Sequence, residues 1–366
     1  SREGAGGGAS MNYSGETVFD VRERGAVGDG RALDTPALQR AVDDCAASGG
    51  GMVYVPPGDY LTGSVELKSN VNLHLEAGSS LLASTRREDY RPLDLGARDS
   101  ARNYNPVHLI FARGAENVVL SGMGTIDGQG REFFGPVPED SFHHSLKGWR
   151  PFQLAAFVEC RNLLLENVTF RDAPGWTVWP LGCETVRIAG VKIFNNRWGP
   201  NTDGIDPDCC RDVTISDCVI DCGDDCIAVK SSIDKLGRGE KLACENLTVT
   251  NCVFSTSCCG IRLGFEGDGP IRNCAFSNIV MRNTRTGINV LVPRHVEDGL
   301  DIRHGPAVEN ISFSNLTMET VIPFFLWTGD DAARPGGVRG ISFSDVRATA
   351  SRGSFFGGSR SLPVEN

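Results

Sequence analysis

The chain has 366 residues, with 36 Lys plus Arg against 46 Asp plus Glu, for a net charge of −10. That balance excludes a nucleic-acid backbone as the main partner, because binding phosphate needs basic surface, and no apolar run approaches the roughly 18 residues of a membrane span. A chain of this length is either two domains or one elongated repeat.

Residues 1–16 are rich in Gly and Ser and carry no periodicity, which reads as a disordered leader or tag without the pattern of a signal peptide. Residues 18–30 alternate apolar and polar and end in Gly-Asp-Gly. Asp34-Thr35-Pro36 then marks a helix start, with Asp34 as the capping side chain and Pro in the first turn. Ala37, Leu38, Ala41, Val42, Cys45 and Ala46 recur at helical spacing and predict one apolar face on a helix of about 12 residues that stops at the glycines 49–51. Such a helix is expected to cover the open end of a stack of strands.

From Gly51 onward short strands take over, at residues 52–55, 60–63 and 71–75, the last placing His74 on a strand face. A repeat follows, in which Asn, Asp or Thr precedes alternating apolar residues. It opens at Asn117, Asn162, Thr185, Asp212, Asn246, Asn273 and Asn310, and again at Gly340. The step is 23 residues from Asn162 to Thr185 and 27 from Thr185 to Asp212. Period-2 segments at that spacing predict an all-β fold: a single-stranded right-handed parallel β-helix over residues 17–366, with the N-terminal helix as its cap. Asn at equivalent turns is expected to form side-chain ladders up the stack. Asn167, Asn246, Asn310 and Asn315 match glycosylation sequons, which the turn preference for Asn accounts for. Segments 86–105, 128–148, 231–243 and 293–307 depart from the repeat and predict loops over one wall. They carry His143, His144, His295 and His304, of which His143 or His144 is the one expected to reach a cleft.

Of thirteen cysteines, twelve fall between Cys160 and Cys274. Cys218, Cys222 and Cys226 are spaced like chelating residues, but four residues of extended strand span roughly 13 Å, too far for one metal. The better reading is small apolar side chains stacked inside a narrow core, with one or two disulfides left open. No metal and no cofactor are expected.

The chemistry concentrates in two short segments, Asn201-Thr202-Asp203-Gly204-Ile205-Asp206 and Gly223-Asp224-Asp225-Cys226. Asp203 and Asp224 are 21 positions apart, about one coil, which puts them on neighbouring rungs roughly 4.8 Å apart. Carboxylates that close shift each other's protonation, and a pair with unequal pKa values is what glycosidic cleavage uses. Asp224 and Asp225 would face opposite sides of a regular strand, so Gly223 is expected to supply a bend that brings both to the cleft.

With these segments in hand, the chain resembles glycoside hydrolase family 28, the polygalacturonases and their relatives, over roughly residues 17–346. The likeness rests on Gly122-Met123-Gly124-Thr125-Ile126-Asp127-Gly128-Gln129-Gly130, Arg150-Pro151, Pro174-Gly175-Trp176-Thr177-Val178, and above all the run from Pro200-Asn201-Thr202-Asp203 through Gly223-Asp224-Asp225-Cys226-Ile227-Ala228-Val229-Lys230. The resemblance implies hydrolysis with inversion and without metal. Asp224 would be the general acid, with Asp203 and Asp225 holding and deprotonating the attacking water. Two departures stand out: Cys258-Cys259-Gly260 replaces the family's Gly-His-Gly, and Asn289-Val290-Leu291 replaces an Arg-Ile-Lys segment that grips a galacturonate carboxylate. A uronate there would lack its charge partners. Either that subsite takes a neutral sugar such as rhamnose, or other cations hold the acid. Arg262 is the first candidate, with Lys230 and Arg197 behind it. Asn201, Cys259, Asn289 and Trp176 complete the expected substrate-binding set, and Trp149, Trp179 and Trp198 offer further stacking faces.

The sequence thus points to a secreted or periplasmic hydrolase of a pectin-like polysaccharide or oligosaccharide, its oligomeric state left open. The alternatives are a polysaccharide lyase on the same scaffold, which would need Ca²⁺ and a basic proton abstractor, and a non-catalytic carbohydrate-binding β-helix.

Overall fold

The computed structural model describes residues 10–11, 17–93, 107–231, 236, 242–267, 269–292, 295–297, 300–302, 306–328 and 337–358. Much of the predicted loops 86–105, 231–243 and 293–307, His304 and the side chain of His295 lie outside the described residues.

The chain winds as a right-handed parallel β-helix with three ladders of strands. In the first ladder Val118, Leu163, Val186, Val213, Leu247, Cys274 and Ile311 stand in parallel register on successive rungs. Each is the first apolar residue of the repeat, and each is buried. A second column runs Ile126, Phe170, Ile193, Ile220, Phe254, Met281 and Met318. The third runs Val178, Ile205, Ile227, Ile261, Ile288 and Phe324. Like residues stack on like, so one narrow core runs through the coil, each fully buried side chain contributing about 1.5–3 kcal/mol.

The turns before the first ladder explain the repeat's leading residue. Asn117, Asn162, Asn246, Asn273 and Asn310 have φ between 54° and 56°, the left-handed region that Asn tolerates and most side chains do not. Their amides bond up the stack, Asn162 Nδ2 to Asn117 Oδ1 at 2.8 Å and Asn310 Nδ2 to Asn273 Oδ1 at 2.9 Å, as the expected ladder requires. Asn315 donates likewise to Asn278, so three of the four sequon asparagines, Asn246, Asn310 and Asn315, belong to ladders. His74 lies on a strand face beside Ser121 and stacked on Tyr54.

The helix spans Thr35–Ala47 and buries Ala37, Leu38, Ala41, Val42 and Cys45. Asp34 precedes it but does not cap it with its side chain. Its carboxylate turns back instead to accept from the amides of Val27 at 2.7 Å and Gly28 at 3.0 Å, because that preceding turn leaves its own donors unmet. All thirteen cysteines are free and twelve are buried, so the open question of disulfides resolves to none. Cys222 and Cys226 stack at 3.7 Å between sulfurs within the core.

A second apolar cluster lies on the outer face of the third ladder's early strands. Gln153–Val158 and Trp176–Leu181 are buried at every position, with Phe111, Phe152, Trp176 and Trp179 packed together there.

Candidate active site

Asp203 and the Asp224-Asp225 pair sit on neighbouring rungs, with Asp225 rather than Asp224, the partner the spacing predicted, in register with Asp203. Gly204 N donates to Asp225 O at 2.8 Å and Ile205 N to Cys226 O at 3.0 Å. Carboxylate oxygens of Asp203, Asp224 and Asp225 all lie within 4.8 Å of one another. Asp203 and Asp225 are each 3% exposed, and Asp224 is half-buried.

The expected bend at Gly223 has a different cause. Gly223 does not take a left-handed φ. It is glycine because a Cβ there would sit 2.5–2.6 Å from Asn196 O, Thr202 Oγ1 and Gly199 O. The preceding turn therefore presses directly on the chain as it enters the acidic pair. Gly223 N donates to Thr202 Oγ1 at 3.0 Å, and Gly223 O accepts from Ser257 Oγ at 2.6 Å. His143 Nε2 lies 3.1 Å from the same carbonyl, so the loop histidine does reach the site. Thr256 Oγ1 donates to Asp224 O. Both acids are thus positioned through their backbone.

Burial pushes the Asp203 carboxyl well above its usual range, and the charges of Asp224 and Asp206 push it further. Burial and the neighbouring Asp225 raise Asp224 as well, while Arg262 opposes that rise. Arg262 Nε forms a buried ion pair with Asp225 Oδ2, and Arg262 Nη2 lies 3.4 Å from the sulfurs of Cys258 and Cys259. Burial works against the charge on Arg262, but Asp225 and the two thiols outweigh it and hold the guanidinium more firmly protonated than usual.

Several of the expected binding residues are committed elsewhere. Arg262 is engaged by Asp225, so it is not a free cation for a uronate. Lys230 is 3% exposed, 3.3 Å from Asp206 Oδ1 and 4.3 Å from the Trp176 ring centre. Trp176 and Trp179 are buried at 3% and 1% exposure, so neither stacks on a sugar from the open surface. Trp149 packs edge-on against Tyr90 and Phe133. Only Trp198 of the four, at 45% exposure, offers a face. Arg197 donates to Ser255 Oγ and to the carbonyls of Thr256 and Asn283, which ties three rungs together. Asn201 takes φ 55° and its Oδ1 accepts from Arg150 Nη2 at 2.9 Å, so it shapes the turn. Cys259 is buried beneath Arg262. Asn289 stands in register with Arg262 on the next rung, 7% exposed, with an Oδ1 that has no partner.

Sequence reasoning missed the supporting roles of Arg150, Ser257 and Phe142. Arg150 bridges Pro174 O and Pro200 O at 2.7 Å each, and burial lowers it to about 10, still charged at neutral pH. Ser257 lies in a strand with a register irregularity, which no periodicity announces. Phe142 was legible only as the aromatic neighbour of His143.

The family model of glycosyl hydrolases family 28 matches residues 45–324. A probable polygalacturonase of Vitis vinifera is 33% identical over 345 residues, covering 88% of this chain and 67% of its own length. A probable polygalacturonase of Arabidopsis thaliana is 29% identical over 75% of this chain, which spans only 61% of that relative. Among solved structures, a hyperthermoactive exopolygalacturonase from Thermotoga maritima superposes with a TM-score of 0.71 at 23% identity, over 98% of this chain and 93% of that one. An endo-xylogalacturonan hydrolase from Aspergillus tubingensis gives 0.64 at 19%, over 92% and 94%. These neighbours share the coil described above. With the profile match over most of the chain, they make it a member of glycosyl hydrolases family 28.

Proposed function

We propose that this glycoside hydrolase cleaves a pectin-like polysaccharide or oligosaccharide with Asp224 as general acid. The observation that carries this is the meeting of Asp203, Asp224 and Asp225 within 4.8 Å, one of them paired to a cation and one half-buried. Burial and the charge of Asp225 keep the proton on Asp224 to higher pH than an ordinary carboxyl, as an acid needs. Arg262 balances the charge on Asp225, which suits Asp225 to take the proton of the attacking water. Asp203, itself raised by burial, holds that water from the adjoining rung. The relatives' names point to galacturonan-type substrates, and a polymer of that kind supports a secreted or periplasmic enzyme.

Inversion is the family expectation, and single displacement needs room for water. Asp203 and Asp225 meet Asp224 through the rung register, and a water held between them is the nucleophile this reading requires. Against a lyase, the floor cations Arg150, Lys230 and Arg262 are each engaged by carbonyls or carboxylates, which leaves none of them to abstract a proton.

The test is release of new reducing ends from homogalacturonan, rhamnogalacturonan and neutral glycans. Asp224→Asn should lower the rate about 10²–10⁴-fold with the circular dichroism spectrum unchanged. Proton NMR of the first-formed product then reads the anomer. Undiminished turnover by Asp224→Asn would remove this assignment.

A further inference from the structure

A groove of about 480 Å³ opens beside the acidic floor, bordered by Phe142, Trp198, Ser257, Thr320 and the side chains of Arg285 and Arg352. It is one residue from the general acid, because Ser257 Oγ bonds Gly223 O. Its charge runs against that of the molecule: three arginines and one glutamate border it, in a chain of net charge −10. Arg197 is spent on the carbonyls of Thr256 and Asn283. Arg285 and Arg352 are exposed and form no ion pair among the described residues. Two rings are half-exposed, Phe142 at 46% and Trp198 at 45%, with the Arg285 guanidinium 5.2 Å from the Phe142 ring centre and that of Arg197 5.8 Å from the Trp198 ring centre, each on one side of its ring. The Thr320 hydroxyl, on the same border, has no hydrogen-bond partner.

We propose that this groove is a subsite for an acidic sugar, the ring lying on Phe142 or Trp198 and the carboxylate taken by Arg285 and Arg352. Guanidinium groups bind carboxylates through paired, charge-assisted hydrogen bonds, and aromatic faces accept the apolar side of a pyranose. This deepens the reading above and rests on it. The cations that the column at Asn289 and Leu291 lacks are supplied instead from a side wall, by Arg285 and Arg352 on either side of the rung that carries Thr320. A neutral contact at Asn289 and an acid at the wall are compatible, because they serve different sugar units.

The experiment titrates oligogalacturonate, and its fully methyl-esterified counterpart, into the full chain carrying Asp224→Asn. The acid form should bind more tightly than the ester. Adding Arg285→Ala should weaken the acid form about tenfold or more and leave the ester unchanged, and Arg285→Lys should recover part of the loss. In otherwise wild-type enzyme the same substitution should raise KM on the acid substrate with kcat little altered. Absence of oligogalacturonate binding, or equal binding with and without Arg285, overturns the subsite. Turnover of any glycan by the wild-type chain decides the hydrolase reading separately.

Discussion

Arg262 and Asp225 form an ion pair in the floor of the cleft, with 14% of the arginine side chain and 4% of the aspartate side chain exposed. The arginine rises from the rung below, in register with Ala228. It lies against Cys259, 3.4 Å from its sulfur. A guanidinium buried beside Asp224 and Asp225 thus fixes a positive charge in the floor of the cleft.

Removing that cation should move the pH dependence of catalysis. Arg262 opposes the raised pKa of Asp224 and balances Asp225. Without it Asp224 holds its proton to higher pH, so the alkaline limb of the kcat/KM profile, set by the general acid, should shift upward. In Arg262→Gln we expect kcat to fall about 10²-fold or more, with partial recovery in Arg262→Lys. An unshifted profile would show that the pair is structural only.

Asp203 should cost stability at neutral pH. Its folded pKa is raised above the unfolded value of about 3.9, so its contribution is fully present below that pH. It is lost as pH rises through the folded value. Asp203→Asn should therefore match the wild-type melting temperature near pH 4 and exceed it increasingly toward pH 7. A difference independent of pH would contradict the burial of a raised carboxyl.

Lys230 and Asp206 offer a stability test apart from catalysis. They lie 3.3 Å apart with side chains 4% and 0% exposed. Lys230→Met strands a buried carboxylate and should destabilise by about 3–5 kcal/mol in urea. The double variant with Asp206→Asn should regain much of that loss. Equal stabilities for the single and double variants would mean the pair is not the source.

The ladder can be probed at Asn273, which accepts from Asn310 at 2.9 Å and donates to Asn246 at 3.2 Å. Asn273→Ala removes both bonds and puts a Cβ-bearing residue without a polar tip at φ 56°. The expected cost is about 2–4 kcal/mol. Asn273→Gly, free of the backbone strain, should cost less, and the gap between the two measures the strain.

Thiol titration checks the cysteines. Ellman's reagent should find all thirteen in denaturant without reductant. The folded protein should react slowly at Cys258, the one thiol that is not buried, whose pKa its Cys259 neighbour and burial raise well above normal. Fewer than thirteen under denaturing conditions would reveal a disulfide.

The coil was legible because its determinants are local and repeated. Each rung states its turn with an Asn and its core face with alternating apolar residues, so a period of 23–27 residues carries the architecture. The three acids were legible for the same reason, since rung spacing converts sequence separation into distance. The cations were not. Arg262, Lys230 and Arg197 each look available in a string of letters, but their partners come from other rungs, at separations of up to 86 residues in the case of Arg197 and Asn283. Trp176 and Trp179 misled likewise: the apolar cover on their outer face is contributed by residues such as Phe111 and Phe152, on other rungs. The glycine at 223 was read for its backbone freedom, whereas its lack of a side chain is what matters.

That last point bears on how such an enzyme can change its diet. With carbonyl and hydroxyl oxygens 2.5–2.6 Å from where a methyl would stand at Gly223, the stretch entering the acidic pair tolerates almost no drift. New preferences would then arise at the banks of the channel, at exposed side chains such as Arg285, Arg352 and Phe142. The bed beneath keeps its shape, and the machinery of bond breaking travels unchanged from one sugar to the next.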